Sequence, residues 1–168
     1  MDTISLIAAV ADNGAIGARG GMPWHISADF KYFKRTTLGH PVVMGRGTWR
    51  SLGCKCLKGR SNLVVTRSPL SEQDLLSGAV FYPSVEEALE AAQGSGEVFI
   101  IGGGMLFKQM IGRAGRLYLT RVHTTVEDAD TFFPEVDPEQ WKEVLRSIPY
   151  RDEASGLDFE FLVYEKNS

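Results

Sequence analysis

Asp29 is the ionisable residue whose surroundings most invite chemistry. An acid in the first turn of a helix ordinarily serves as a partner for the helix dipole. Here Trp24, Phe30 and Phe33 lie close in sequence, so a carboxylate turned toward them would face an apolar wall, poised to bind a cationic or amidine-like group. A buried carboxylate without a partner is costly, and a ligand would supply the partner. Anion binding is the second chemistry. Gly102, Gly103 and Gly104 follow the apolar run EVFII and precede MLFKQMI, so backbone N–H groups there could approach a pyrophosphate at a helix start. A plain strand-to-helix turn uses glycines equally well. The stretch is not the dinucleotide fingerprint G-x-G-x-x-G, because Phe107 occupies the place of the third glycine. Arg46 and Thr48 in GRGTW, with Thr66 and Arg67 after NLVVT, put cations and hydroxyls at strand ends. Their co-occurrence suggests a dinucleotide carrying an extra phosphate, although any one of these arginines alone reads as a solvated surface charge. No Walker A pattern is present, which disfavours nucleotide hydrolysis.

Metal chemistry has less support. Cys54 and Cys56 form a C-x-C in the loop-like stretch GCKCLKG, without a second cysteine cluster, and His25, His40 and His123 are far apart. Reduced, structurally neutral thiols are the better reading, and no metal is expected.

The elements that must position these residues alternate. TISLIAAV, from Thr3 to Val10, is an almost unbroken apolar run, the pattern of a central strand covered on both faces. The glycine-rich stretch to Ile26 predicts a long loop. Ser27 is the expected N-cap of a helix from about Ala28 to Leu38. Residues 41–45, 62–66 and 79–83 are strand candidates, and RGTWRSL one or two helical turns. Ser84 and Glu87 give an S-x-x-E capping box before an Ala-rich helix that runs to about Gln93. EVFII, residues 116–124, WKEVLRSI and DFEFLVYEK supply further strands. The expected fold is α/β: one domain over residues 1–168, with a mainly parallel twisted β-sheet, an antiparallel C-terminal edge strand and helices on both faces.

Composition sets the outer limits. The 168 residues leave room for one domain. A hydrophobic share of 43% supports a real core. A net charge of -3 makes nucleic acid a poor first candidate. The longest apolar runs fall far short of the ~20 residues that cross a bilayer, so no membrane partner is expected. The absence of a signal-like start and the low cysteine count point to the cytoplasm.

The chain resembles the dihydrofolate reductases of bacterial chromosomal type. The resemblance rests on ISLIAAV, IGARGGMPWHISADFKYFK, PVVMGRGTW, LKGRSNLVVT, VFIIGGG, LYLTRV and DADTFFP, in family order and spacing over nearly the full length. It implies NADPH-dependent reduction of 7,8-dihydrofolate to tetrahydrofolate, which supports one-carbon metabolism, with antifolate inhibitors as further ligands and a monomeric protein. By this resemblance Asp29 is the pterin-pocket acid, Thr120 supports it and its water, and Trp24 belongs to the same catalytic group. Ile7, Ala8, Phe33, Leu52, Leu57 and Ile101 wall the substrate, and Arg60 grips its glutamate α-carboxylate. On the cofactor side, Ala9 and Ile16 meet the carboxamide, and Gly103 and Gly104 the pyrophosphate. Arg46, Thr66 and Arg67 form the adenosine phosphate pocket, and Gly45, Gly47, Thr48, Ile101, Met105 and Phe107 complete the cofactor set. The segment from Ala11 to Trp24 matches a mobile loop that closes over the nicotinamide, with Gly20 and Gly21 giving it freedom.

Three departures stand out. Phe107 replaces a frequent tyrosine, Met105 replaces a frequent arginine, and GCKCLKG is one residue longer than the common GRPLPG form. Two rival functions are a pyrimidine reductase of riboflavin biosynthesis and a silent pteridine- or dinucleotide-binding protein. The Trp24-x-x-x-x-Asp29 spacing and Arg60 disfavour the first, and Asp29 with Thr120 disfavours the second.

Overall fold

A computed structural model describes residues 2–18 and 21–168. In chain order the elements are β1 (Thr3–Ala11), β2 (Ala15–Ala18), α1 (Ser27–Thr37), β3 (Val42–Gly45), α2 (Arg46–Ser51), β4 (Asn62–Val65), α3 (Glu72–Leu76), β5 (Val80–Tyr82) and α4 (Val85–Ala91). They continue as β6 (Glu97–Gly102), α5 (Gly104–Met110), β7 (Arg116–Val122), β8 (Ala129–Phe132), β9 (Trp141–Arg146), β10 (Tyr150–Asp152) and β11 (Leu157–Lys166). The main sheet runs β10-β11-β7-β1-β6-β3-β4-β5, and β9 also pairs with β11. All pairings from β7 through β5 are parallel, whereas β11 is antiparallel to β7, and β9 and β10 are antiparallel to β11. The expected sheet and its antiparallel C-terminal edge are therefore present.

Strand periodicity explains the two covering layers. Successive side chains on a strand point to opposite faces, so Leu6, Val43, Leu63 and Ile100 enter one apolar cluster with Val85 and Ala88 of α4 and Leu106, Phe107 and Met110 of α5. Their neighbours Ile7, Val42, Met44, Val64 and Phe99 enter another, with Trp49 of α2 and Phe33 of α1. Val42, Val43 and Met44 are all fully buried, as a strand with both faces covered requires. Each such side chain contributes about 1.5–3 kcal/mol on burial, so the strand ends that carry the site are rigidly based.

Local structure departs from expectation in four places. Ser27 does not cap α1; Ile26 holds that position and no side chain bonds the first turn. The 11–26 stretch is not wholly irregular, because β2 pairs antiparallel with β8. Asn13 Nδ2 donates to the Val126 carbonyl at 2.9 Å across 113 positions, and Phe133 N donates to the Gly14 carbonyl at 2.9 Å. Gly20, one of the two glycines assigned to loop closure, lies outside the described residues. The polar 68–78 region contains α3, capped by a complete Ser71–Asp74 box. At α4 only half of the expected box forms: Ser84 Oγ accepts from Glu87 N, while the Glu87 carboxylate bonds the Ser84 hydroxyl and not its backbone. A strand as short as β10 carries too few residues to show a period.

Candidate active site

Asp29 lies in the first turn of α1 and crosses to β7, where Thr120 Oγ1 donates to Asp29 Oδ1 at 2.6 Å. The geometry follows from register. Ala9 pairs with Thr120 and Thr120 with Phe161, so the buried hydroxyl stands at the middle of the sheet, beneath α1. Tyr32 stacks on Phe161 with ring centroids 4.0 Å apart and anchors the same helix. Burial holds the Asp29 carboxyl above the usual carboxylate range, and the Thr120 hydrogen bond partly offsets this. Since the native carboxyl binds its proton more tightly than the unfolded one, its contribution to stability is complete below the unfolded value and is lost as pH rises through the folded value. Thr120→Val is expected to push the Asp29 titration still higher and widen that window. Carboxyl 13C NMR titration of the ligand-free protein checks this; an unshifted midpoint contradicts it.

The apolar wall is built by some of the predicted residues and not by others. Ile7, Phe33, Leu52, Leu57 and Ile101 join the same cluster on the α1 and α2 side of the sheet. Phe30 does not join them: it is 40% exposed and packs on His25 at 4.8 Å between ring centroids. Trp24 packs with Ala11 and Ala15, and its buried indole N–H finds no acceptor among the described residues. Arg60 is held from two sides, Nε donating to the Lys58 carbonyl at 2.9 Å and Nη1 to Thr37 Oγ1 at 3.1 Å. Thr37 is fully buried in α1, so that helix fixes both the acid and the arginine. Partial burial draws the Arg60 guanidinium down from its ordinary value.

The glycine turn lies at the end of β6, beside β3. A Cβ on Gly102 would stand 2.8 Å from Thr48 Oγ1, and one on Gly104 would stand 2.5 Å from Thr131 Cγ2. Gly102 also has φ +137, a conformation that side chains disfavour. Packing therefore explains two of the three glycines. Gly103 has φ -90, and a Cβ there would meet only Thr48 Oγ1, at an ordinary 3.6 Å. Space does not require that glycine, and the missing side chain leaves an open approach to backbone amides, as a pyrophosphate needs. Gly45, Thr48 and Gly103 line that opening, with the Gly103 backbone nitrogen 3.8 Å from a Cβ placed on Gly45. The donor set fits a dinucleotide phosphate.

The remaining predicted positions differ in their freedom, and Ala8, expected in the substrate wall, does not join that cluster because the residue after Ile7 on a strand faces the other layer. Ala8 and Ile16 pack against the α4 and α5 cluster, and Ala9 against the Trp24 cluster. Met105 is 87% exposed, whereas Phe107 is buried against Phe133 at 5.1 Å between centroids. Arg67 is exposed and donates through Nε to the Pro83 carbonyl at 3.2 Å; Thr66 Oγ1 accepts from Ser68 N at 3.1 Å. Arg46 is largely covered, with Nη2 3.6 Å from Asp74 Oδ2. Gly47 is exposed, with open space where a side chain would stand. Asp74, Trp49 and Thr37 are the supporting residues that sequence reading missed. Only Asp74 carried a signal, the S-x-x-D that starts at Ser71.

The family model described as dihydrofolate reductase matches residues 3–166. The dihydrofolate reductase of Bacillus subtilis is 40% identical over 98% of this chain and 95% of its own length. That of Neisseria meningitidis serogroup A is 43% identical over 96% of each. The solved structure of dihydrofolate reductase from Enterococcus faecalis, complexed with NADP(H) and RAB-propyl, superposes with a TM-score of 0.87 at 35% identity, covering 99% of this chain and 97% of that one.

Proposed function

The chain belongs to the dihydrofolate reductase family, and from that premise we propose that it reduces 7,8-dihydrofolate to 5,6,7,8-tetrahydrofolate with NADPH, supplying one-carbon metabolism. The observation that carries this reading is the half-buried Asp29 carboxyl, bonded to Thr120 and set beside the apolar wall of Ile7, Phe33, Leu52 and Leu57. When bound, NADPH supplies the hydride that passes from nicotinamide C4 to pterin C6. Asp29 orients the pterin by accepting hydrogen bonds from its amidine edge, which returns the desolvation cost of the carboxylate. Its negative charge favours proton uptake at N5, and water delivers that proton. Thr120 keeps the carboxyl pointed at the ring, and the free Trp24 indole N–H is available to hold the water. Ile7, Phe33, Leu52, Leu57 and Ile101 exclude other water from the reacting face, with Ala8 next to Ile7 in β1. Arg60, fixed by Thr37 and Lys58, offers its remaining N–H donors to the substrate α-carboxylate.

On the cofactor side, backbone at Ala9 and Ile16 receives the carboxamide, and Gly103 and Gly104 receive the pyrophosphate. Arg46, Thr66 and Arg67 serve the adenosine phosphate, with Gly45, Gly47, Thr48, Ile101, Met105 and Phe107 around them. We place the protein in the cytoplasm as a monomer that also binds antifolate inhibitors. Purified protein mixed with NADPH and dihydrofolate is expected to consume both in equal amounts, followed as loss of reduced-nicotinamide absorbance. No loss above the protein-free rate overturns the reading.

A further inference from the structure

We propose that Asp74 is a positioning residue for cofactor specificity: it fixes Arg46 and the Thr66–Arg67 segment relative to one another, and so sets the preference for a phosphorylated over an unphosphorylated adenosine ribose. This rests on the functional reading above. Asp74 is 1% exposed and lies on α3, whose only buried residue it is. The helix brings no apolar anchor to the sheet, since Leu75 and Leu76 are 69% and 78% exposed. A carboxylate is an expensive way to dock a five-residue helix, because an apolar residue of similar size costs far less to bury. A capping box would work equally well on the surface. The charge therefore needs a purpose beyond the helix.

Its contacts supply one. Oδ1 accepts from the Trp49 indole N–H at 2.9 Å, and Oδ2 accepts from Ser71 N at 3.0 Å and faces Arg46 Nη2 at 3.6 Å. Trp49 and Arg46 both belong to α2, whereas Ser71 ends the segment that leaves β4 through Thr66 and Arg67. One carboxylate thus ties together the connections that follow two neighbouring parallel strands, whose ends are in register at Gly45 and Val65. The indole and Ser71 hydrogen bonds hold Asp74 below the usual carboxylate range, so its charge is constant at ordinary pH. Arg46 answers only that charge: Nε and Nη1 are buried and have no partner among the described residues. Asp74 holds the guanidinium at Nη2 while the Arg46 side chain keeps 20% of its surface exposed, so the charge is fixed in place for a further acceptor, and a phosphate with two negative charges fits that need.

Asp74→Asn keeps the shape and an oxygen acceptor while removing the charge. It is expected to weaken NADPH binding about tenfold, the lower end for a lost charged hydrogen bond, and to change NADH binding by less than about twofold. Dissociation constants for the two dinucleotides, measured by tryptophan fluorescence quenching, give the ratio directly. Ser71→Ala breaks the helix cap but leaves the Asp74 charge in place; it is expected to lower the melting temperature and preserve the ratio. If Asp74→Asn does not fold, Asp74→Glu, which moves the charge by one methylene, is expected to lower the ratio about threefold by the same reasoning. Equal losses for both dinucleotides, or tighter NADPH binding, overturn the inference. Wild-type protein that binds NADPH and NADH alike overturns the functional reading along with it, whereas wild-type preference retained in the Asp74 variant overturns the inference alone.

Discussion

Asp29→Asn is expected to slow hydride transfer by about a hundredfold to a thousandfold, the usual cost of losing one preorganised electrostatic contact at a reacting centre. The substitution is nearly isosteric and leaves Thr120 an oxygen to bond, so α1 stays docked through the 2.6 Å link and the Tyr32–Phe161 stack. What changes is chemical. An amide presents N–H where the carboxylate presented a second acceptor, so one donor of the pterin amidine edge loses its partner and the ring loses the charge that favours proton uptake. NADPH affinity is expected to stay within about twofold, because the proposed phosphate-binding positions lie at the ends of β3 and β6, on other elements than the acid. Stopped-flow decay of reduced-nicotinamide fluorescence separates the two quantities. Normal turnover by the variant would remove Asp29 from the mechanism.

Arg67→Ala carries the second large effect. The guanidinium is exposed, and among the described residues its one hydrogen bond runs from Nε to the Pro83 carbonyl, leaving the terminal nitrogens for a ligand. Loss of a charged hydrogen bond to the extra ribose phosphate, about 1.5–3 kcal/mol, weakens NADPH by roughly one to two decades while NADH changes little. Solvent and salt screen an exposed cation, so the discrimination is expected to shrink as ionic strength rises. Isothermal titration of both dinucleotides at low and high salt reads each expectation. Equal losses for NADPH and NADH would contradict the assignment.

How far these features are legible in the sequence depends on the range of the interactions behind them. The runs at β1, β3 and β6 announce buried strands because both faces of each are covered, and that leaves a continuous apolar signature. Asp29 is legible for a local reason, an acid placed in a first turn a few residues beyond Trp24. Ser27 misleads because a good capping residue beside a helix start is still one position away from the cap that Ile26 occupies. β2 and β8 are hidden because each is four residues long and pairs with a segment more than a hundred positions distant. The Asp74 cluster shows the limit most sharply. Its capping box lies in plain view at Ser71-x-x-Asp74, but the same carboxylate also meets Trp49 and Arg46, and no local pattern reports those long-range contacts. The glycine triplet looked uniform, and only three-dimensional packing separates Gly102 and Gly104, where a Cβ would crowd Thr48 and Thr131, from Gly103, where it would meet ordinary contact.

The placement of β1 between β6 and β7 has a last consequence. One neighbour ends in the glycine turn and the other carries the hydroxyl that steers the acid. Two ladder spacings, together about 10 Å, separate the strand that ends in the glycine turn from the strand that carries Thr120, and main-chain pairing acts as the gauge. Residues elsewhere on the molecular exterior can drift over evolutionary time without retuning that interval.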